Sequence, residues 1–336
     1  MKRLTILAVL MALSAPACAE RITIMTYNLG NFFDAADDPR LRNGRGGETI
    51  ETEDWVKAKA AALARVIGRF DENKGPDILV LSEIESAAAL AALKAALPNA
   101  GAYQTTVFFD SDPTRPVPKP DPRGIRLAML SKLPVAGGTA TAFHPVDLSV
   151  DAACKDESGA PEATRDLLSV TLTLPDGANL TVFGAHLPSG LNPQVCRRIA
   201  LSTLVKLAAA APDGVVIAAG DFNFNCAADE QKTMREVLAG WALPPQTDNG
   251  CRYHGSHFYK KEGTWSFLDV IAQRPGAAPW RLDMRTFGTV QNDVEQLALN
   301  RKDGTLIPRL FEYDAAKKKG GGASDHWPVA VDLVKP

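Results

Sequence analysis

The sequence predicts a mixed α/β fold, because strand-like runs alternate with helical stretches early in the chain and with hairpins later. Residues 77–83 and 215–220 are short apolar runs typical of buried strands. Between such runs, residues 53–70 place apolar side chains on one face at helical spacing. Of the 336 residues, 46% are hydrophobic and 23% are charged, a balance typical of globular proteins with a sizeable core.

Local signals predict the other elements in chain order. Thr52 is a suitable N-cap for the first helix, since acids follow it in the first helical turn. An Asp-Gly turn at residues 176–177 joins two strands into a hairpin. We expect strands over residues 21–28, 77–83, 125–131, 167–174, 180–186, 215–220, 267–273 and 327–333, and helices over residues 53–70, 86–97 and 193–210.

Two stretches predict irregular structure. Residues 110–124 contain five prolines and no periodicity, so we expect an exposed loop. Residues 276–323 show no clear pattern and end in Lys-Lys-Lys-Gly-Gly-Gly at 317–322, which we expect to be a mobile basic loop. No linker or internal repeat divides the chain, so residues 20–336 are expected to form a single domain.

The N-terminus has the pattern of a secretory signal peptide over residues 1–19. Lys2 and Arg3 precede an apolar run from Leu4 to Leu13, and Ala-Cys-Ala at 17–19 fits a cleavage site. The run is too short to act as a stable membrane anchor. A lipoprotein signal at Cys18 is the alternative, disfavoured because Ala15 occupies a position where a larger apolar residue is usual. We expect a secreted or periplasmic bacterial protein, cleaved near Ala19, without membrane insertion.

Export changes the interpretation of the cysteines. After cleavage four would remain, an even number that suggests two disulfides in an oxidising compartment. Three pairings are open, and we favour Cys154–Cys196 with Cys226–Cys251, because each closes a loop within one half of the chain. No Cys-x-x-Cys spacing indicates a zinc site.

The formal charge is -2, and loss of Lys2 and Arg3 with the signal peptide would make it about -4. A dedicated nucleic-acid binder is expected to be strongly basic. The charge therefore argues against tight nucleic-acid binding, but it does not exclude hydrolysis of a phosphodiester held at one metal ion.

Polar residues stand at the ends of several predicted strands, and one acid lies within an apolar strand. Taken singly, each of these residues can be explained by structure. Asp221 and Asn223 favour turns, and an isolated histidine is usually a hydrogen-bonded structural residue. Together they suit a chemical purpose, because carboxylate and amide oxygens bind Mg²⁺ while histidines transfer protons or stabilise phosphate. The set comprises Asn28, Glu83, His186, Asp221, Asn223, Asp269, Asp325 and His326.

Five motifs occur in an order that resembles the endonuclease/exonuclease/phosphatase superfamily, the DNase I-like group. They are Thr-Tyr-Asn-Leu at 26–29, Leu-Ser-Glu at 81–83, Gly-Asp-Phe-Asn at 220–223, Leu-Asp-Val-Ile at 268–271 and Ser-Asp-His at 324–326. The opening Asn-Leu-Gly-Asn-Phe-Phe-Asp at 28–34 is most similar to secreted bacterial nuclease-like members. The resemblance spans residues 21–333 and implies a four-layer sandwich of two packed mixed β-sheets flanked by helices.

The resemblance also implies roles for matching residues. Asn28, Glu83 and Asp325 would bind Mg²⁺, with Mn²⁺ or Ca²⁺ as alternatives and Glu83 as the main ligand. Asp221 would orient or deprotonate the attacking water, and His326, oriented by Asp269, would stabilise the phosphate or donate a proton to it. Asn223 would contact the scissile phosphate, His186 would be a second phosphate contact or the leaving-group acid, and Arg126 would contact phosphate.

Three points depart from that pattern or stay open. Pro188 follows His186-Leu187 where relatives often carry lysine, which leaves the contact made by that lysine unassigned. Asp110 and Asp121 are both candidates for an acid paired with His186. His254 and His257 could form a metal pair, but a loop at the surface or the cleft rim is the favoured interpretation.

Nuclease activity on DNA or RNA is the leading functional prediction, with Lys317–Lys319 as extra phosphate contacts and a monomer expected. A sphingomyelinase-like lipid phosphodiesterase or an inositol-phosphate-type phosphatase is the alternative. The lipid version would need exposed aromatics, for which Trp241, Phe258 and Tyr259 are candidates. A non-catalytic binding module is a third class, and a serine hydrolase is disfavoured because no Gly-x-Ser-x-Gly motif is present.

Overall fold

The computed structural model describes residues 20–335 except 42–43, 45–46, 111–119, 138–140, 156–158, 160–162, 164, 245–254, 277, 301 and 303. The predicted signal peptide with its cleavage site, Cys251 and His254 lie outside the described residues. Among the residues described, no helix is both long and apolar enough to cross a membrane.

Strands occur along almost the whole described chain, with helices between several of them. In order they are β1 (Glu20–Phe32), β2 (Ile78–Ile84), β3 (Thr105–Phe108), β4 (Arg126–Ser131), β5 (Thr141–His144), β6 (Leu167–Thr173), β7 (Asn179–His186), β8 (Val215–Asp221), β9 (His257–Tyr259), β10 (Thr264–Ser266), β11 (Asp269–Gln273), β12 (Arg281–Thr289), β13 (Leu297–Leu299), β14 (Leu306–Pro308), β15 (Glu312–Asp314), β16 (Lys319–Gly321) and β17 (Val329–Lys335).

Eleven of these strands form two mixed sheets. The first has the order β12-β17-β1-β2-β4-β3, and the second has the order β11-β8-β7-β6-β5. Each sheet contains one parallel pair, β1 with β2 and β7 with β8, while its other neighbours are antiparallel. In each parallel pair, the C-terminal ends of the two strands lie at the same edge of the sheet. The loops that follow these ends are therefore close enough to form a site.

The helices are α1 (Glu53–Gly68), α2 (Phe70–Asn73, a short turn), α3 (Ala87–Ala96), α4 (Gln194–Ala209) and α5 (Ala228–Val237). The Thr52 side chain accepts a hydrogen bond from the Trp55 amide at 3.1 Å, which confirms the predicted cap of α1. Helix α5 was not predicted, because its sequence is mostly polar and only Met234 among its apolar residues is buried.

Three apolar cores define the layers. One lies between the sheets, one between the first sheet and helices α1 and α3, and one between the second sheet and helices α4 and α5. The alternation of strand side chains produces this division: Ile22 and Ile24 of β1 enter the central core, whereas Met25 and Tyr27 enter the outer one. The predicted four-layer sandwich is confirmed.

The prediction of irregular structure over residues 276–323 is wrong. Strand β12 forms the edge of the first sheet, and β13 with β14 and β15 with β16 form two small hairpins. The last hairpin includes part of the predicted basic loop, since Lys319 pairs with Asp314. Short strands with few apolar residues carry little periodic signal, which explains why the sequence did not reveal them.

The predicted Cys154–Cys196 disulfide is confirmed, with a Cα–Cα distance of 5.4 Å. It fixes the loop after β5 to the first turn of α4. Cys226 is also disulfide-bonded. Its predicted partner Cys251 lies outside the described residues, so the Cys226–Cys251 pair stays a prediction.

Candidate active site

Alternation along four strands directs polar side chains into the space between the sheets. Asn28 shares the face of Ile22 and Ile24, and Asp221 shares the face of Ile217 and Ala219, both of which line the central core. The same rule directs His186 and Asp269 inward from β7 and β11. Strand pairing sets His186 and Asp269 on either side of Asp221, at the end of β8.

Asp221 connects the two sheets. The Asn28 amide nitrogen donates to Asp221 Oδ2 at 2.9 Å, and the backbone amide of Asn223 donates to Asp221 Oδ1 at 2.9 Å. Each carboxylate oxygen is therefore held by one fixed donor. Burial and the nearby Asp269 carboxylate raise the pKa of Asp221 to about 7, which suits a general base near neutral pH.

Asn223 does not continue the strand beside Asp221. Its backbone is left-handed, with φ of 54°, and its side-chain nitrogen donates to the Leu187 carbonyl at 3.0 Å. The turn begins at Gly220. A side chain cannot be accommodated there, because a Cβ atom would lie 1.9 Å from the Ala185 carbonyl oxygen. The Asp221-Phe222-Asn223 stretch is thus an Asx turn and part of the site at once.

Asp269 and His326 form a buried ion pair. His326 Nδ1 lies 2.8 Å from Asp269 Oδ2, as predicted for a histidine oriented by this acid. Burial alone would lower the pKa of His326, but the carboxylates of Asp269, Asp221 and Asp325 outweigh it and raise the pKa to about 10. His326 is therefore a cation whose Nε2–H can be offered to a phosphate oxygen.

His186 is the opposite case. Its Nε2 lies 3.5 Å from Asp221 Oδ2 and 3.7 Å from Glu83 Oε1, so it faces both acids. Burial, followed by the charges of Arg165 and Arg123, lowers its pKa well below the usual value. His186 is thus a neutral imidazole, and its buried Nδ1 has no hydrogen-bond partner among the described residues.

Neither acid proposed as a partner of His186 pairs with it. Asp121 forms ion pairs with Arg165 at 2.8 Å and Arg123 at 3.1 Å. Asp110 pairs instead with Arg40 and Arg126. Both acids thus form ion pairs with arginines, and the acids that lie close to His186 are Glu83 and Asp221.

Glu83 and Asp325, the two predicted carboxylate ligands of the metal, each lie beside a histidine of the cleft. Glu83 would point outward if β2 kept its alternation, but its left-handed backbone, with φ of 61°, interrupts the register between Ser82 and Ile84. Its Oε2 accepts the Asn31 amide at 2.7 Å. The Asp325 side chain is 39% exposed, so an ion from solvent can reach it. Gly30 packs closely against it, since a Cβ atom added at Gly30 would lie 3.2 Å from Asp325 Oδ1.

The donor chemistry of Glu83, Asp325 and Asn28 suits Mg²⁺, which takes one or two carboxylates and retains several waters. Within the described ranges, no group of three or more histidine, cysteine, aspartate or glutamate side chains is arranged to hold a metal ion. Two carboxylates and one amide are fewer ligands than Mg²⁺ needs, so the three residues fit a partly hydrated hard cation.

A role for buried Lys59 was not predicted from the sequence, where it is one of two lysines on α1. Its ammonium donates to the carbonyls of Gly30 at 3.2 Å and Ala323 at 2.6 Å, joining the segments that carry Asn28 and Asp325. Burial lowers its pKa to about 7, while Asp325 and Glu83 act in the opposite direction. Lys59 thus lies beneath the candidate metal ligands.

His257, expected from the sequence to lie in a loop at the surface or the cleft rim, is a further member of the cluster. Its ring lies against His326, with centroids 4.7 Å apart, and its Nε2 is 3.8 Å from Asp325 Oδ2. Burial and the charge of His326 lower its pKa to about 4. His257 is therefore inside the cleft rather than only at its rim, and the signal lies in pairing between distant segments, His257 with His326.

Arg126 is not brought to this cluster. It shares the outward face of β4 with Ala128 and Leu130, which pack in the core beneath α1 and α3. Its guanidinium donates to the Glu85 carbonyl at 2.6 Å and pairs with Asp110 at 2.9 Å. The guanidiniums near the cluster are those of Arg123 and Arg165, which act on His186 electrostatically.

Solved structures with the same fold support the architecture. Humanized TDP2 of D. rerio is 17% identical, with a TM-score of 0.57 over 93% of this chain and 98% of that chain. Sphingomyelinase C of Streptomyces griseocarneus is 18% identical, with a TM-score of 0.57 over 93% and 99%. Beta toxin of Staphylococcus aureus with bound magnesium ions is 16% identical, with a TM-score of 0.55 over 93% and 99%.

Sequence comparison gives the family. No curated protein matches the sequence. A model of the endonuclease/exonuclease/phosphatase family matches residues 23–335, nearly the whole chain. The chain therefore belongs to the endonuclease/exonuclease/phosphatase family, whose members hydrolyse phosphoester bonds with a divalent metal ion.

Proposed function

We propose that this protein is an exported, Mg²⁺-dependent phosphodiesterase that cleaves DNA or RNA internally. The observation that carries the proposal is the convergence, between the two sheets, of a buried base, a charged histidine and accessible oxygen ligands. Asp221 supplies the base, His326 the cation, and Glu83 with Asp325 the principal oxygen ligands. This set matches the requirements of phosphodiester hydrolysis at a metal ion.

The residues divide the chemistry between them. Asp221, fixed by Asn28 and the Asn223 amide, orients the attacking water and accepts its proton. His326, held in orientation by Asp269, donates to a phosphate oxygen as negative charge develops there.

The remaining residues of the cluster bind phosphate and metal. Asn223 contacts the scissile phosphate, and neutral His186 is a second phosphate contact, because an imidazole with a strongly lowered pKa is a poor leaving-group acid. Glu83, Asn28 and Asp325 would hold the Mg²⁺, which supplies charge neutralisation at the phosphate. Mn²⁺ and Ca²⁺ are alternative ions for the same oxygen ligands.

Two features support a polyanionic substrate and export. Arg123 is partly exposed beside the cluster, and exposed lysines occupy positions 260–261 at the turn of the β9–β10 hairpin and 317–318 before β16. The Cys154–Cys196 disulfide suits an oxidising compartment, in line with the expected signal peptide over residues 1–19.

Plasmid nicking by residues 20–336 tests this function directly. We expect Mg²⁺-dependent conversion of supercoiled to nicked plasmid, abolished by EDTA and by His326→Ala. His144→Ala is the matched control, since His144 is hydrogen-bonded to Ser169 outside the cluster and its loss should leave nicking unchanged. No cleavage of plasmid, single-stranded DNA or RNA with Mg²⁺ or Mn²⁺ would refute nuclease activity.

A lipid phosphodiesterase is the second candidate, favoured by the fold shared with sphingomyelinase C. The structure weakens the predicted membrane contacts, because Phe258 is buried and Trp241 packs against the core beneath α4. Tyr259, at 40% exposure, is the one of the three that faces solvent. Release of phosphocholine from sphingomyelin vesicles, without plasmid nicking, would favour this candidate.

A further inference from the structure

A cavity adjoins the catalytic cluster and has no assigned role. It has a volume of about 560 Å³ and lies between the β9–β10 hairpin and the loop at residues 189–191. We call it the hairpin pocket. Asn223 and His257 line both the pocket and the cluster, so a substituent of the bound phosphate can extend directly into it.

The charge of the hairpin pocket differs from that of a phosphate site. Among its described lining residues there is no lysine or arginine, and Glu262 is the one carboxylate. A second phosphate group would therefore enter without a cationic partner and next to a negative charge. The pocket suits a neutral part of the substrate.

The walls of the hairpin pocket are aromatic and partly apolar. Trp265 packs against Trp327 at 5.2 Å and Phe258 at 5.1 Å between ring centroids, so it is held in place by the core. Tyr259 is 40% exposed on the same hairpin, and Leu191 is 95% exposed on the facing loop. Such surfaces favour a flat ring, since stacking on aromatic side chains accepts any base.

Neutral hydrogen-bonding groups complete the lining. Ser189, Asn225, Thr264 and Ser266 add hydroxyl and amide groups that can meet the edge of a base. An aromatic cage for a quaternary ammonium would instead need little beyond rings and a carboxylate. The excess of neutral polar groups favours a base over a cation.

We propose that the hairpin pocket is a nucleobase subsite, which holds the base of the nucleotide next to the scissile phosphate. The inference rests on the proposed nuclease function and specifies its substrate as a nucleoside phosphodiester. Phosphate is held by the catalytic cluster, and the adjoining base stacks between the hairpin and Leu191.

Two synthetic esters with the same leaving group separate chemistry from base recognition. Thymidine 5′-(4-nitrophenyl phosphate) carries a base, whereas methyl 4-nitrophenyl phosphate does not. We expect the nucleoside ester to have a kcat/KM at least about 10-fold higher, in the range of single-base stacking. Tyr259→Ala should remove most of that advantage through KM, Tyr259→Phe should keep it, and neither should change hydrolysis of the methyl ester.

Leu191→Ala should lower kcat/KM for the nucleoside ester alone. Leu299→Ala is its matched control, because Leu299 is 62% exposed but does not line the pocket, and it should have no effect. Equal rates for the two esters, or an equal loss on both in Tyr259→Ala, would overturn the subsite while leaving the hydrolase intact. A preference for 4-nitrophenyl phosphorylcholine would also overturn it, in favour of a cationic headgroup. Hydrolysis of none of these esters or of nucleic acid would instead count against the proposed function.

Discussion

Two acidic regions lie at the same end of β2, and they differ in what their carboxylates contact. Glu83 points into the catalytic cleft, where it is 14% exposed and faces His186. Glu85, two residues later, is buried in a cavity on the helix side of the sheet that we call the outer acidic pocket. This pocket is lined by residues that include Asp34, Glu48, Glu85, Asp110 and Arg126.

In the outer acidic pocket, two carboxylates accept hydrogen bonds from backbone amides. Glu85 accepts the Asp34 amide at 2.7 Å, and Glu48 accepts the Asp38 amide at 3.0 Å. These bonds fix the segment between β1 and α1. In the cleft, by contrast, Asp221 and Asp269 face the histidines His186 and His326. An acid whose bonds are made within the fold serves structure, whereas one left facing the cleft can serve chemistry.

The largest expected contrast comes from replacing one glutamate with glutamine in each region. Glu83→Gln should lower phosphodiesterase activity at least about 100-fold and weaken Mn²⁺ binding, because even residues that only support a metal ligand contribute 10- to 100-fold. Glu85→Gln should change both by less than about threefold. Kinetics on the methyl ester and direct Mn²⁺ titration measure the two effects.

Comparable losses in both glutamine variants would contradict this division of roles. Thermal unfolding is the control for folding, because a variant with native stability and no activity has lost function alone. An active Glu83→Gln variant with unchanged Mn²⁺ affinity would remove Glu83 from the metal site.

Lys59 gives the next contrast. Its bonds to the Gly30 and Ala323 carbonyls join the two segments next to the candidate ligands, so Lys59→Met should displace those segments and lower activity about 10- to 100-fold. Lys57→Met, on the exposed face of the same helix, makes the same substitution without those contacts and should have little effect. If the two variants have equal activity, Lys59 does not position the site.

The pH dependence of activity should report separately on the ionisation of Asp221 and on that of His326. Activity should rise with pH through about 7 as Asp221 ionises, and fall near pH 10 as His326 loses its proton. Asp269→Asn removes the carboxylate that helps keep His326 charged, so the falling limb should move to lower pH. An unchanged falling limb in Asp269→Asn would show that His326 does not set it.

Alternation explains how much of this site the sequence could predict. Asn28, His186, Asp221 and Asp269 each lie an even number of residues from a central-core position on their strand, so the apolar pattern alone directs them inward. The same rule, applied to Arg126, places it on the outer face. Its expected role as a phosphate contact rests on the family resemblance, and the alternation along β4 disagrees with it.

Long-range geometry accounts for what the sequence could not predict. Glu83 reaches the cleft because its left-handed backbone breaks the alternation of β2, and no residue preference in Leu-Ser-Glu signals that break. His257 and Lys59 join the site through contacts with residues 69 and 264 positions away, respectively. Motif order predicted the chemical set, whereas the supporting residues depend on packing that only the fold specifies.

The smallest expected effect concerns the outer acidic pocket and appears in stability rather than activity. Burial and the neighbouring Asp34 and Glu48 raise the pKa of Glu85 from 4.5 to about 8. A glutamic acid with a raised pKa contributes stability that is complete below its unfolded pKa of 4.5 and is lost as pH rises through about 8. Glu85→Gln cannot ionise, so its melting temperature should exceed that of the wild type by roughly 5 °C at pH 9 and match it near pH 4. Melting curves across this range test the point, and parallel pH dependence in the two proteins would show that Glu85 is already ionised at neutral pH.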